Sequence, residues 1–309
     1  MRSRFLVAAF LAALSLTAAA QAGPPRPKIL GISHIAIYAS DLAAEDHYYR
    51  EVIGAVKQPD PENPKGMRYA VSATQFIEIL PLPPDAGINR LDHTAYRTDN
   101  AEGMRKYLAA KGYKTPGKVE KGSDGSRWFE VNDPEGNKVQ FVQPPRNPKA
   151  VNAPNVISSH IIHVGFLVHS RAVEDTFYRD LLGFRPYWYG GVNPGQVDWV
   201  TQQTPDSHDW LEYMIKGGTP GSYPPGMTQH QLAVLDHLSL GVVSVDACYK
   251  MLQDGNRLTG VHDAHTQMGK DGKVQVSLYD PEGFRAVLTQ LRATGPICCS
   301  VPTAEDPSE

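Results

Sequence analysis

The chain has 309 residues, long enough for two domains of ordinary size. Hydrophobic residues at 41% and charged residues at 20% suit a globular protein with a sizeable core. A formal net charge of −3 supplies no basic excess to hold a phosphate backbone, so nucleic acid is not an expected partner.

The chain opens with "MRSR", a positive segment, followed by the apolar run "FLVAAFLAALSLTAAA". Small residues at Ala20 and Ala22 then precede Gly23. The run is shorter than the roughly 20 residues a membrane span needs and ends as a signal-peptidase site does. Residues 1–22 therefore read as a signal peptide, with an uncleaved anchor as the alternative. The mature protein is expected to begin near Gly23, to be periplasmic or extracellular, and to have no membrane contact after cleavage.

Four segments then begin alike, each an apolar strand with a histidine near its start: "GISHIAIYAS", "RLDHTAYRTD", "IIHVGFLVHS" and "LDHLSLGVVS". Asp41, Asn100, Ser170 and Ser244 follow as N-cap residues, each opening an amphipathic helix. Gly54, Gly112, Gly183 and Gly255 stand where a helix C-terminus wants a left-handed residue. Short alternating runs such as "MRYAVSA" and "QFIEILPL" come after each helix. The unit reads β-α-β-β-β and occurs four times.

The copies are related in pairs. "YYREVIG" at 48–54 matches "FYRDLLG" at 177–183, and "NDPEGNKVQF" at 132–141 returns as "YDPEGFRAVL" at 279–288. A two-unit domain at 31–144 therefore reads as duplicated at 157–292. A Pro- and Asn-rich linker at 145–156 joins the copies, and a tail follows at 293–309. Three cysteines make no disulfide framework. Cys298 and Cys299 are too close in sequence for an unstrained bridge, and Cys248 reads as a small buried residue in a helix.

Paired βαβββ units with a histidine on each first strand and a "DPEGN" turn before the last strand resemble the vicinal oxygen chelate superfamily. That group includes glyoxalase I, bleomycin- and fosfomycin-resistance proteins, methylmalonyl-CoA epimerase and extradiol dioxygenases. The resemblance spans nearly all of residues 31 to 292. It implies an α+β fold of four βαβββ modules paired into two open half-barrels, with metal ligands projecting inward from the strands. Carried onto this sequence, the ligand positions of the first domain are His34, Glu78, His93 and Gln140. Those of the second are His163, Glu212, His237 and Val287.

Alternate residues of a strand face one side, so single residues from neighbouring strands can converge on a point. Imidazole and carboxylate together suit Fe, Zn, Ni or Mn as a divalent ion, and two histidines with one carboxylate leave positions open for substrate. A Glu in "FIEILPL" or "WLEYMIK" alone reads as solvent-facing, and a strand histidine alone as structural. The repeated His, Glu, His pattern favours metal in at least one domain.

In the relatives the last-strand position usually carries a glutamate. Gln140 can offer an amide oxygen but no basicity, and Val287 offers neither. Candidate proton-transfer groups are His262, His265 and Tyr279. Tyr69, Trp128, Tyr187, Trp188, Tyr189 and Trp199 read as core, and His160 as a polar residue flanking its strand.

The expected function is a divalent-metal enzyme acting on a small vicinal-oxygen substrate, either a glyoxalase-like lyase or isomerase or an extradiol dioxygenase-like enzyme. The alternative is a metal-free protein that sequesters a small ligand, as bleomycin-resistance proteins do. Oligomeric state is not legible.

Overall fold

The computed structural model describes residues 23–261 and 264–308. The expected signal peptide and His262 lie outside the described residues. No helix among the described residues is long and apolar enough to cross a membrane.

The first module runs β1 (Ile29–Ala39), α1 (Leu42–His47), β2 (Val56–Pro59), β3 (Met67–Ala70) and β4 (Phe76–Pro81). The second runs β5 (Leu91–Thr98), α2 (Ala101–Ala110), β6 (Glu120–Lys121), β7 (Arg127–Asn132) and β8 (Lys138–Gln143). The third runs β9 (Ile161–Val168), α3 (Arg171–Asp175), β10 (Arg185–Gly190), β11 (Trp199–Gln203) and β12 (Trp210–Ile215). A short helix, α4 (Gln229–Leu235), precedes the fourth, which runs β13 (His237–Val242), α5 (Val245–Asp254), β14 (Thr266–Met268), β15 (Val274–Tyr279) and β16 (Arg285–Gln290). Four βαβββ modules are present.

They pair into two curled eight-stranded sheets of identical topology, ordered β2-β3-β4-β1-β5-β8-β7-β6 and β10-β11-β12-β9-β13-β16-β15-β14. The first strands of two modules thus meet at the centre of each sheet. β1 runs antiparallel to β5, and β9 to β13.

The helix signals act as expected in part. The Asp41 side chain accepts from the Ala43 and Ala44 amides, Asn100 from Gly103, and Ser244 from Ala247. Ser170 makes no such side-chain bond; its own amide donates instead to Glu135 across the molecule. Gly54, Gly112 and Gly183 take positive φ, whereas Gly255 does not and Asn256 takes the left-handed position (φ 53°). α1 and α3 each continue as a π-helical turn, Tyr48–Val52 and Thr176–Leu181, that the sequence pattern does not reveal. Cys298 and Cys299, read as an unfavourable pair, are bonded to one another, with Cys299 at φ 76° turning the chain so that the two side chains meet.

The recurring DPEG turn has a packing role. The turn of module two docks on the helix of module three: Tyr178 donates to Asp133 (3.3 Å) and the Glu135 amide to Glu174 (3.0 Å). Module four's turn docks likewise on module one, with Tyr49 donating to Asp280 (3.0 Å) and the Glu282 amide to Glu45 (3.2 Å). Each turn thus holds the other domain's helix. Burial pushes the carboxyls of Glu45 and Glu174 up to about 10, with Asp280 and Asp133 adding like-charge repulsion.

Candidate metal centres

In each sheet the register sets side chains on the concave face. Glu78 of β4 lies opposite Ala36 of β1, which lies opposite His93 of β5. One pleat away, Phe76, His34, Ala95 and Gln140 form the next row. The second sheet repeats both rows: Glu212, Gly165, His237 and Arg285, then Trp210, His163, Ser239 and Val287. Period-two strands with one histidine each therefore place two imidazoles and one carboxylate at the middle of each sheet.

Both trios converge, with the ligand atoms of each lying within 4.8 Å of one another. In the first, His34 Nε2 is 2.9 Å from His93 Nε2, and Glu78 Oε2 is 3.6 and 3.7 Å from them. In the second, His163 Nε2 is 3.1 Å from His237 Nε2, and Glu212 Oε2 is 3.7 and 3.1 Å away. Phe76 stacks on His34 (4.2 Å) and Trp210 on His163 (4.7 Å), which fixes the ring planes.

The donor sets fit a divalent ion. His237 Nδ1–H donates to the Leu235 carbonyl (2.8 Å), so the neutral ring turns its Nε2 lone pair toward the Glu212 carboxylate. Burial holds His237 well below the usual histidine range, with Arg285 adding to the shift, so the ring is neutral at physiological pH. Burial also lowers His163, helped by His237, and His34, helped by His93 and Arg68. Two imidazole nitrogens and a carboxylate converging on one point suit a divalent cation between them. In the first trio burial raises the Glu78 carboxyl, and neighbouring Asp60 raises it further, a repulsion that a cation would offset.

The surroundings differ sharply. His93 is backed by Asp92 (2.7 Å), which also accepts from Lys138 (2.8 Å) and Tyr38. Burial alone would raise Asp92, yet the bonds from His93 and Lys138 outweigh it and hold the carboxylate well below its ordinary range. Gln140 donates Nε2 to Glu62 (2.9 Å), leaving its buried Oε1 without a partner among the described residues. That orphaned oxygen suits a fourth ligand. Arg68, buried over the Phe76 ring at 4.0 Å, pairs with Asp60 (3.1 Å) and Glu62 (2.7 Å) and fills the adjoining space with charge. Burial pushes the Glu62 carboxyl up to about 7 against the pull of Arg68.

The second trio has Thr201, Gly165, Ser239 and Val287 where the first has Arg68, Ala36, Ala95 and Gln140. A Cβ built on Gly165 would lie 2.2 Å from His237 Cε1, so only glycine admits the ring there. A cavity of about 480 Å³ opens over this trio. Tyr187, Trp188, Trp199 and Trp210 contribute its walls, and Asp271, Lys273 and Arg285 its charges. The cavity at the first trio, about 530 Å³, has Glu62, Glu78, His93, Trp128 and Gln140 in its lining.

Tyr187 and Trp188 pack as expected in a small buried cluster with Trp210, with Trp199 against it, and all of them also line the second cavity; Trp128 lines the first. Tyr69 is core, and Tyr189 is 42% exposed. His160 bonds Asp209 (2.7 Å) and the Ser308 carbonyl. His265 and Tyr279 line neither trio's cavity; they border a separate space beside His230 and Glu282. Trp210 stands two residues before Glu212 and pairs with His163 in the sheet, a relation that the period-two strand could have revealed. Glu62, Arg68, Asp271 and Lys273 carried no motif.

Residues 31–141 match the family described as Glyoxalase/Bleomycin resistance protein/Dioxygenase superfamily. No curated protein matches the chain in sequence. Among solved structures it is similar to the 2,3-dioxygenase LapB from Pseudomonas sp. KL28 (15% identity, 91% of this chain and 98% of that chain, TM-score 0.62). It is similar also to the Mn(II)-bound glyoxalase from Novosphingobium aromaticivorans (18%, 85% and 83%, TM-score 0.59). A third likeness is homoprotocatechuate 2,3-dioxygenase from Brevibacterium fuscum, in complex with 3,4-dihydroxyphenylacetate (15%, 86% and 82%, TM-score 0.62). Two paired half-barrels, each with a convergent His–Glu–His trio, are what the structure of this chain presents. The family match covers residues 31–141, and the likeness to the solved structures extends the same fold over both halves of the chain.

Proposed function

We propose that the chain is a divalent-metal enzyme of extradiol-dioxygenase type, with its working centre at His163, Glu212 and His237 and an aromatic vicinal diol as substrate. The observation that carries this reading is the asymmetry of the two trios. The second offers three protein donors beneath a cavity walled by tryptophans, whereas the first adds a fourth donor in Gln140 and packs charge around it. Three protein donors leave three positions of a six-coordinate ion open for substrate; a fourth donor takes one of them. A bound divalent ion would supply Lewis-acid stabilisation of the deprotonated diol.

The chain's own residues do the rest. Trp188, Trp199 and Trp210 hold an aryl ring and exclude water. Burial pushes the Asp271 carboxyl up to about 6, with Lys273 opposing the shift and Glu212 adding to it, so Asp271 is ionised at neutral pH yet basic enough to take a diol proton. Val287 leaves no base at the last strand, which disfavours the proton shuttle of a glyoxalase. We also propose that residues 1–22 direct export; the support is their leader-like pattern, and N-terminal sequencing of the mature protein tests it.

The test is oxygen uptake. The chain is reconstituted anaerobically with Fe(II) or Mn(II), then given catechol or 3,4-dihydroxyphenylacetate and O2. One O2 consumed per ring opened, abolished in Glu212→Ala, is expected. No uptake under any loading, with the diols still bound, would overturn the enzyme reading in favour of a sequestering protein.

A further inference from the structure

Lys273 immediately precedes β15, and its side chain is only 2% exposed. A buried ammonium needs a counter-charge, because desolvation without one costs several kcal/mol or more. Its partner comes from outside the four modules: Asp306 in the C-terminal tail, which Lys273 contacts through Nζ. The Tyr187 hydroxyl donates to the same carboxylate oxygen and lies 3.1 Å from Lys273 Nζ. Arg292 Nη1 approaches the second oxygen at 3.5 Å. Three donors thus surround one carboxylate.

The tail that delivers Asp306 runs along β10. Trp188 Nε1 donates to the Cys298 carbonyl (3.1 Å), Tyr189 N to Ser300 Oγ (2.8 Å), and Thr303 N to the Tyr187 carbonyl (2.9 Å). Asp306 itself borders the second cavity together with Lys273 and Tyr187. Lys273 Nζ also stands 5.1 Å over the Trp210 ring, and Trp210 stacks on His163. One aromatic wall therefore joins the carboxylate-holding group to the metal trio. The first domain has no counterpart, since the residue immediately preceding β7, matching Lys273 before β15, is Ser126.

We propose that Lys273 and Tyr187 form an anion subsite in the second cavity for the carboxylate of an aryl acid, and that Asp306 occupies it until such a ligand displaces the tail. The proposal deepens the reading of the second trio as the working centre, and it rests on that reading for its meaning in turnover. The ligand class follows from the lining: tryptophan faces for a ring, and an ammonium with a phenol hydroxyl for a carboxylate.

The test needs neither metal nor oxygen. Phenylacetate and its neutral isostere phenylacetamide are titrated by tryptophan fluorescence into the full chain, as isolated and after chelation. Phenylacetate is expected to bind Asp306→Asn at least ~10-fold more tightly than the unaltered chain, while phenylacetamide changes little. Lys273→Met should erase the preference for the acid. An unchanged phenylacetate affinity in Asp306→Asn, or equal affinity for both probes in that variant, would overturn the proposal. Should Lys273→Met fail to fold, the Asp306→Asn comparison decides alone. Loss of oxygen uptake with this preference intact would sink the dioxygenase reading and not the subsite.

Discussion

The two trios share a register and differ in what stands behind and beside them. In the first, His93 leans on a carboxylate that is itself held by Lys138, and Gln140 turns an oxygen into buried space. In the second, His237 leans on a backbone carbonyl, Val287 replaces the amide, and Gly165 makes room for the ring. Asp236 stands where Asp92 would, yet it accepts from the Leu167 amide instead of supporting the histidine, and burial pushes its carboxyl up to about 7. The lesson is that the two sheets hold the same ligands in the same register and differ in the neighbours of those ligands. The first centre has Gln140 and the Arg68–Asp60–Glu62 cluster beside its trio; the second has Val287 and an aromatic chamber whose charges are Asp271, Lys273 and Arg285 among others.

The largest effect should come from removing a ligand. Glu212→Ala should abolish oxygen uptake and cost the chain one bound ion, read by elemental analysis. Closing the second centre should come next. Val287→Gln should raise metal retention against a chelator and lower turnover at least ~10-fold, because a fourth donor takes a position the substrate needs.

Support behind the ligands should matter less. Gly165→Ala places a Cβ against the His237 ring, and a loss of ~10–100-fold in metal affinity is expected at the second trio alone. Asp92→Asn should cost a similar factor at the first trio alone, since its carboxylate orients His93. Metal titration of each variant separates the two.

The smallest effect concerns the joint between domains. Glu45 and Glu174 have folded-state values near 10, above the ordinary carboxyl range, so the folded chain binds more protons than the unfolded chain across the interval between. Their contribution is complete at acidic pH, below the ordinary carboxyl value. It declines as pH rises and is gone once pH passes about 10. Thermal unfolding should therefore shift to lower temperature between pH 7 and pH 10, and Glu45→Gln should flatten that fall.

Much of this was legible in the residues. Four strand histidines and two DPEG turns implied four modules, while Glu78 and Glu212, which read alone as solvent-facing, were placed beside the histidines by the family resemblance. The π-helical turns after α1 and α3 left no pattern, because their apolar spacing is that of an ordinary helix. The core reading of Tyr187 and Trp188 was sound, but a strand cannot announce that the same face also borders a cavity. Contacts made through loops and tails were out of reach: Arg68 with Glu62, six residues apart, depends on how a loop folds back, and Lys273 with Asp306 on where a tail is laid. Ser170, expected to cap its own helix through its side chain, serves the interdomain turn with its amide instead.

The central claim is that the second trio works and the first does not. The most direct test is oxygen uptake with 3,4-dihydroxyphenylacetate in His163→Ala and His34→Ala, with metal content measured beside it. The account predicts that His163→Ala loses an ion and all uptake, while His34→Ala loses an ion and keeps uptake. Uptake that survives His163→Ala, or disappears only in His34→Ala, would contradict it.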